Sequence, residues 1–158
     1  MTVDDLMRLF AEEFGLGRLR PNGEGAYHLD FDGMTVAFRE TADGARLLVL
    51  GEVGELPGAG AEVFCRVLLK AMFPGGALAE GGFALNPETD RLFLQRQTPL
   101  ADLDFDRFKT AVESFVNELA NWRQALEAFR PAAEEIDRDR DRAEAEAKEI
   151  MSQGFMRV

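Results

Sequence analysis

Apolar residues fall along this chain in two rhythms, a step of three or four and a strict alternation, and the changes between them outline its elements. In "TVDDLMRLFAEEFG" Val3, Leu6, Met7, Phe10 and Phe14 make the stripe of an amphipathic helix. Thr2 is placed as its N-cap, Asp5 completes a capping box, and Gly15 supplies the stop. Leu9 lies off the stripe and is expected to be partly exposed. A loop, "GLGRLRPNGEG", separates this helix from an alternating region. In "AYHLDFD" Tyr27, Leu29 and Phe31 face one way and His28, Asp30 and Asp32 the other. After the turn signal Asp32-Gly33, "MTVAFRE" alternates Met34, Val36 and Phe38 against Thr35, Ala37 and Arg39. A second turn at Asp43-Gly44 leads into "ARLLVLGEV", apolar on both faces and so expected to be a central strand covered on both sides.

The stretch "AEVFCRVLLKAMFP" (61–74) predicts a helix whose only charges, Glu62, Arg66 and Lys70, recur every four residues on one narrow stripe. Pro74 and its glycines end it. A second hairpin follows, "FALN" and "RLFLQRQ" around the turn "PETD". A long helix then starts near Asp104, with Phe105, Phe108, Val112, Phe115, Val116, Leu119, Trp122, Leu126 and Phe129 on its core stripe. Pro131 marks an end or a kink. Residues 1–130 therefore form one α+β domain of order α-β-β-β-α-β-β-α, a sandwich of helices against an antiparallel sheet. Residues 131–158 make a charged tail or helix whose end turns apolar at Ile150, Met151, Phe155, Met156 and Val158, an end that could lie in a groove.

Composition narrows the function. With 46% hydrophobic and 30% charged residues the chain reads as soluble and globular. Its formal charge of −11 (18 basic, 29 acidic residues) would repel nucleic acid and anionic lipid. The single cysteine excludes an internal disulfide, and the first residues lack the layout of a signal peptide, so the expected compartment is the cytoplasm. No apolar run is long enough to cross a bilayer.

Side chains for catalysis are scarce. The chain has two serines, Ser114 and Ser152, and one histidine, His28, which alternates onto the polar side of its strand. Cys65 is expected as a small core residue of its apolar helix, and no Cys/His spacing suits zinc. "DLDFD" (102–106) reads as N-capping rather than a calcium loop. "GLGRLR" lacks the third glycine of a dinucleotide fingerprint and follows a helix. No enzyme activity and no cofactor are expected.

Helix 61–73 is the anomaly. A small sheet with two flanking helices can cover one of its faces. Leaving three or four large apolar side chains of the other in water forfeits roughly 5–10 kcal/mol at about 1.5–3 each. That is comparable with the stability of a whole domain, about 5–15 kcal/mol. A second copy packed across a two-fold axis, making a homodimer, is the economical cover.

The stretch "ALNPETDRLFLQRQTPLADLDFDRFKTAVESFVNELANWRQAL" (84–126) resembles the C-terminal half of the class I type III secretion chaperones, the Tir-chaperone or CesT family. The likeness rests on a hairpin with Asn-Pro before an acidic turn, an apolar strand, a Pro-Leu, and a helix with aromatics and a Trp near its end. It extends over about residues 3–130. The resemblance implies a cytosolic homodimer that holds the N-terminal segment of a secreted effector extended and ready for export, without nucleotide or cofactor. An extended segment can add a strand to a sheet edge and seat alternate side chains in apolar pockets. The effector-binding candidates are then Leu9, Phe10, Phe14, Phe31, Val36 and Phe38. The dimer candidates are Val63, Phe64, Val67, Leu68, Leu92 and Leu94. A dimeric regulatory adaptor of the same fold, binding a folded protein, is the alternative.

Overall fold

Thr2 opens helix α1 (Val3–Phe14) with both halves of the capping box: Thr2 Oγ1 accepts from the Asp5 N–H, and the Asp5 carboxylate accepts from the Thr2 N–H, each at 3.1 Å. These contacts hold the Asp5 carboxyl below its usual range, the Thr2 side chain contributing most. At the other end Gly15 takes the left-handed conformation (φ 64°), which a residue with a side chain adopts at a cost. The computed structural model describes residues 1–58, 60–78 and 80–155.

Strands β1 (Tyr27–Phe31) and β2 (Met34–Glu40) form a hairpin around Asp32-Gly33, both residues at positive φ (52° and 82°) as a twist-matched two-residue turn requires. Strand β3 (Arg46–Glu55), helix α2 (Ala61–Ala71), strands β4 (Gly82–Leu85) and β5 (Arg91–Pro99) and helix α3 (Phe105–Phe155) follow, with one 3-10 turn at Leu100–Asp102. The sheet is antiparallel in the order β1-β2-β3-β5-β4. β3 is its centre, and β1 and β4 are its edges.

One face of the sheet carries the core. Val36 and Phe38 are fully enclosed, Phe108 of α3 meets the Phe38 ring edge-on at 6.1 Å, and Phe83 meets Trp122 at 4.9 Å. The helix approaches so closely that a Cβ on Gly51 would lie 2.5 Å from Leu119. Arg96 is also buried beneath α3, where its Nη2 donates to Glu118 at 2.8 Å and the guanidinium lies over the Phe115 ring. α2 packs on the middle of α3, with Phe64 against Phe129 at 5.2 Å.

Four expectations change. β3 is not sealed on both sides: Leu50 and Phe93 are half-buried on the outer face, among exposed Thr35, Arg39 and Gln97. Leu48 is buried there with Arg39 and Gln97 as its cross-strand neighbours, long side chains able to shelter it without a second layer. Cys65 is half-buried rather than core. The element order matches the α+β sandwich predicted, but α3 continues through Pro131, so no element boundary falls at 130. A proline removes one helical hydrogen bond, which a long helix absorbs. Finally, α3 leaves the domain after Asp137, whose carboxylate lies against Gly58, and Ile150 and Met151 stand in water, 70% and 63% exposed, rather than in this subunit's groove. Met156 and Val158 lie outside the described residues.

Candidate functional site

The edge strand β1 determines what this fold can offer to another chain. Around a two-residue turn the flanking pair, Phe31 and Met34, exchanges both main-chain hydrogen bonds, and the pattern alternates from there. Tyr27, Leu29 and Phe31 therefore bond inward to β2, while His28 and Asp30 turn their N–H and C=O to the open side. Ala26 faces the same way, and its carbonyl is already taken by the Asn22 N–H at 2.8 Å. Among the described residues, no hydrogen bond reaches the outward main-chain groups of His28 and Asp30.

Beside that edge lies a groove of about 1010 Å³ between the end of α1, β1 and the first turns of α3. Its apolar lining is Phe10, Phe14, Leu16, Leu19, Leu29, Phe31, Val112 and Val116. The Phe10 ring sits at the base, 4.5 Å from Phe14 and 6.5 Å from Phe31. Phe14 and Leu16 are 54% and 47% exposed, large apolar side chains held in water at the groove's mouth. Left-handed Gly15 turns the chain back at the end of α1, with the Leu16 N–H donating to the Ala11 carbonyl at 3.0 Å, and so sets Leu16 beside Phe14.

Three of the seven polar residues of the lining are acidic. Asp106 and Glu113 face the groove with Thr110 and Asn117, His28 and Asp30 border it along the strand edge, and Lys109 is the one cation among the described residues of the lining. Lys109 is already engaged, its Nζ 2.9 Å from Glu13 and 3.3 Å from Asp106. Those two carboxylates, Glu13 first, hold its ammonium charged to above its usual range. Asp30 Oδ1 accepts from the Gly33 N–H at 2.9 Å, and among the described residues neither Asp30 nor Glu113 meets a cation.

Of the effector-binding candidates, Phe10, Phe14 and Phe31 line the groove. Val36 and Phe38 do not: strand alternation turns them under α1 and α3, where neither has exposed surface. Leu9 is half-buried, as its position off the stripe predicts, but it is not among the groove's lining. Leu16, Leu19, Val112 and Val116 belong to the lining without having been singled out. Two leucines in an otherwise polar loop were the available signal for the first pair.

The dimer candidates divide the same way. Phe64 and Leu68 point into the subunit (2% and 4% exposed), and Leu92 and Leu94 lie on the covered face of the sheet, so these four serve the core. Val63 and Val67 point outward, joined by Leu69, Met72 and Phe73, with Leu69 67% and Phe73 73% exposed. Among the described residues no cluster of His, Cys, Asp or Glu could hold a metal ion, and no helix is long and apolar enough to cross a membrane.

Compared with known proteins, residues 5–123 match the family model described as Tir chaperone protein (CesT) family. No curated protein matches the chain in sequence. Among solved structures, the fold is similar to the ExsC-ExsE complex (TM-score 0.62, 23% identity, 80% of this chain and 97% of that one). It is also similar to the Yersinia pestis type III secretion chaperone SycH in complex with a fragment of YscM2 (TM-score 0.58, 22% identity, 77% and 99%). A third is the heterodimeric ExoU-SpcU complex from the type III secretion system of Pseudomonas aeruginosa (TM-score 0.54, 20% identity, 82% and 96%). At these identities the solved structures establish the fold.

Proposed function

This chain belongs to the Tir chaperone protein (CesT) family, and from that membership we propose that it is a cytoplasmic, dimeric chaperone for a type III secreted effector. It binds a segment of that effector as an extended strand along β1 and keeps it unfolded for export. The observation that carries this reading is the pair of outward main-chain donors and acceptors at His28 and Asp30 beside an apolar groove. Ordering an extended chain costs about 1–2 kcal/mol per residue. Backbone hydrogen bonds, about 0.5–1.5 kcal/mol each, offset part of that. Apolar burial at about 25 cal/mol per Å² supplies the rest, so a sheet edge alone would not suffice and a greasy groove next to it does. Holding a strand this way needs no bond chemistry and no cofactor. The second copy seats on α2 along Val63 and Val67.

His28→Pro tests the reading. Proline removes the outward N–H while leaving the β1–β2 ladder intact, a substitution that edge strands tolerate. The protein purified from its own host should carry a long, protease-sensitive segment of another chain, identified by mass spectrometry, and the variant should hold that segment three- to tenfold less tightly, about one hydrogen bond's worth. A protease-resistant folded protein retained equally by both forms would sink it.

A further inference from the structure

The charges around the groove specify the kind of segment it takes, a deepening that rests on the strand-binding reading above. A strand added along β1 alternates its side chains. One set enters the apolar floor of Phe10, Phe31 and Val116; the other lies on the opposite face of the sheet beside His28 and Asp30. On that face an added residue stands about 4.5–5.5 Å from its cross-strand neighbour, close enough for opposite charges to pair and like charges to repel. Among the described residues Asp30 has no cation, Glu113 on the far bank has none, and the groove's own Lys109 is occupied by Glu13 and Asp106. The field in the groove is therefore negative, within a chain of formal charge −11.

We infer that the groove selects an extended segment in which apolar side chains alternate with Lys or Arg, a basic one set against Asp30 on the outer face of the sheet, and that it rejects segments with Asp or Glu at that position. Apolar burial supplies affinity for either kind, and Asp30 supplies the discrimination.

Two labelled peptides of about ten residues, enough to run the length of an edge strand, test this. They share one set of alternating apolar residues and carry either Lys or Glu between them. Fluorescence anisotropy against the full chain at pH 7.5 should show the Lys peptide bound several-fold more tightly at low salt, from pairing with Asp30 in place of repulsion by it. High salt should close the gap. In the Asp30→Asn variant the Lys peptide should weaken and the Glu peptide should not. The amide introduced by Asp30→Asn keeps an oxygen for the Gly33 N–H, so the hairpin turn survives. Equal affinity for the two peptides, with binding intact, overturns the charge selection and leaves strand binding standing. Binding of neither peptide, to a chain that melts normally, overturns both.

Discussion

The groove beside β1 and the outer side of α2 both expose large apolar side chains among charged ones, yet they can serve only different occupants. The groove is concave and is bordered by unpaired main-chain groups at His28 and Asp30. α2 is convex, and inside a helix the backbone hydrogen bonds run along its own axis. It offers side chains and nothing else. An extended chain arrives with its own N–H and C=O groups needing partners, so it gains at a sheet edge and loses on a helix. A helix face gains only against a surface of matching shape, and a second copy of α2 supplies one by symmetry. Apolar surface says that something binds; the neighbouring backbone says what.

The comparison breaks first, and by the largest amount, at Val67. It is 45% exposed in the subunit, while its neighbour Leu68 is 4% exposed. Val67→Asp should convert dimer to monomer: two copies lose about 1.5–3 kcal/mol each, which raises the dissociation constant a hundredfold or more by sedimentation. The subunit should melt almost as before and still bind peptide in the groove. Leu68→Ala should do the reverse, costing the subunit itself about 2–5 kcal/mol. If Val67→Asp left a well-behaved dimer, the α2 assignment would fall.

The matching change in the groove is smaller. Phe14→Ala with Leu16→Ala removes two side chains already about half in water, so thermal stability should stay within about 1 kcal/mol. Affinity for an extended peptide should fall by about 1–3 kcal/mol, with the dimer unaffected. Loss of both properties together would mean that the two surfaces are one.

These assignments also show how far the sequence could be read. Alternation located β1 and β2 and their inward residues, and the Thr2-x-x-Asp5 spacing located the cap, because both are local rules with short memory. α2 was correctly read as a helix with too much apolar surface for one subunit to cover. What local patterns could not supply is which inward residue ends in core and which ends in groove. Val36, Phe38 and Phe31 share one alternation, and only the position of β1 at the sheet's edge separates the last from the others. Phe14 continues the α1 stripe one turn past the point where the core stops. Leu16 and Leu19 join the site only because Gly15 bends the chain back, a tertiary consequence that the spacing of residues in the loop does not show.

A third test sharpens the attachment of the groove's two walls. The Tyr27 hydroxyl donates to Asp4 at 2.7 Å and ties β1 to α1. Burial, and then that bond, push its pKa from 10.0 up to about 12. The folded state therefore keeps a proton that the unfolded chain releases near pH 10. The stability this contributes is complete below pH 10 and is lost as pH rises from about 10 to about 12. Melting temperature measured across that range should fall for the wild type and fall less for Tyr27→Phe. Parallel curves would remove Tyr27 from the account.

The smallest effect is expected where the longest helix leaves the domain. Up to Asp137, which lies against Gly58, α3 is held by the domain, with Phe108, Phe115, Leu119 and Leu126 enclosed. Beyond it the same helix runs roughly 27 Å further through water at 1.5 Å per residue. There it has pairs such as Arg140–Glu144 at 3.9 Å and Arg142–Asp139 at 4.0 Å. Exposed pairs of this kind contribute about 0.3–0.5 kcal/mol each, enough to favour helix over coil locally but too little to influence the core. Deleting residues 139–158 should therefore remove helical circular dichroism in proportion to the residues lost and move domain stability by no more than about 0.5 kcal/mol. Peptide affinity in the groove should not change, because Ile150 and Met151 are in solvent rather than in it. A tighter-binding truncated chain would show that the apolar end competes for the groove, and the two halves of α3 would then have to be treated as one functional element instead of a packed helix with a projecting arm.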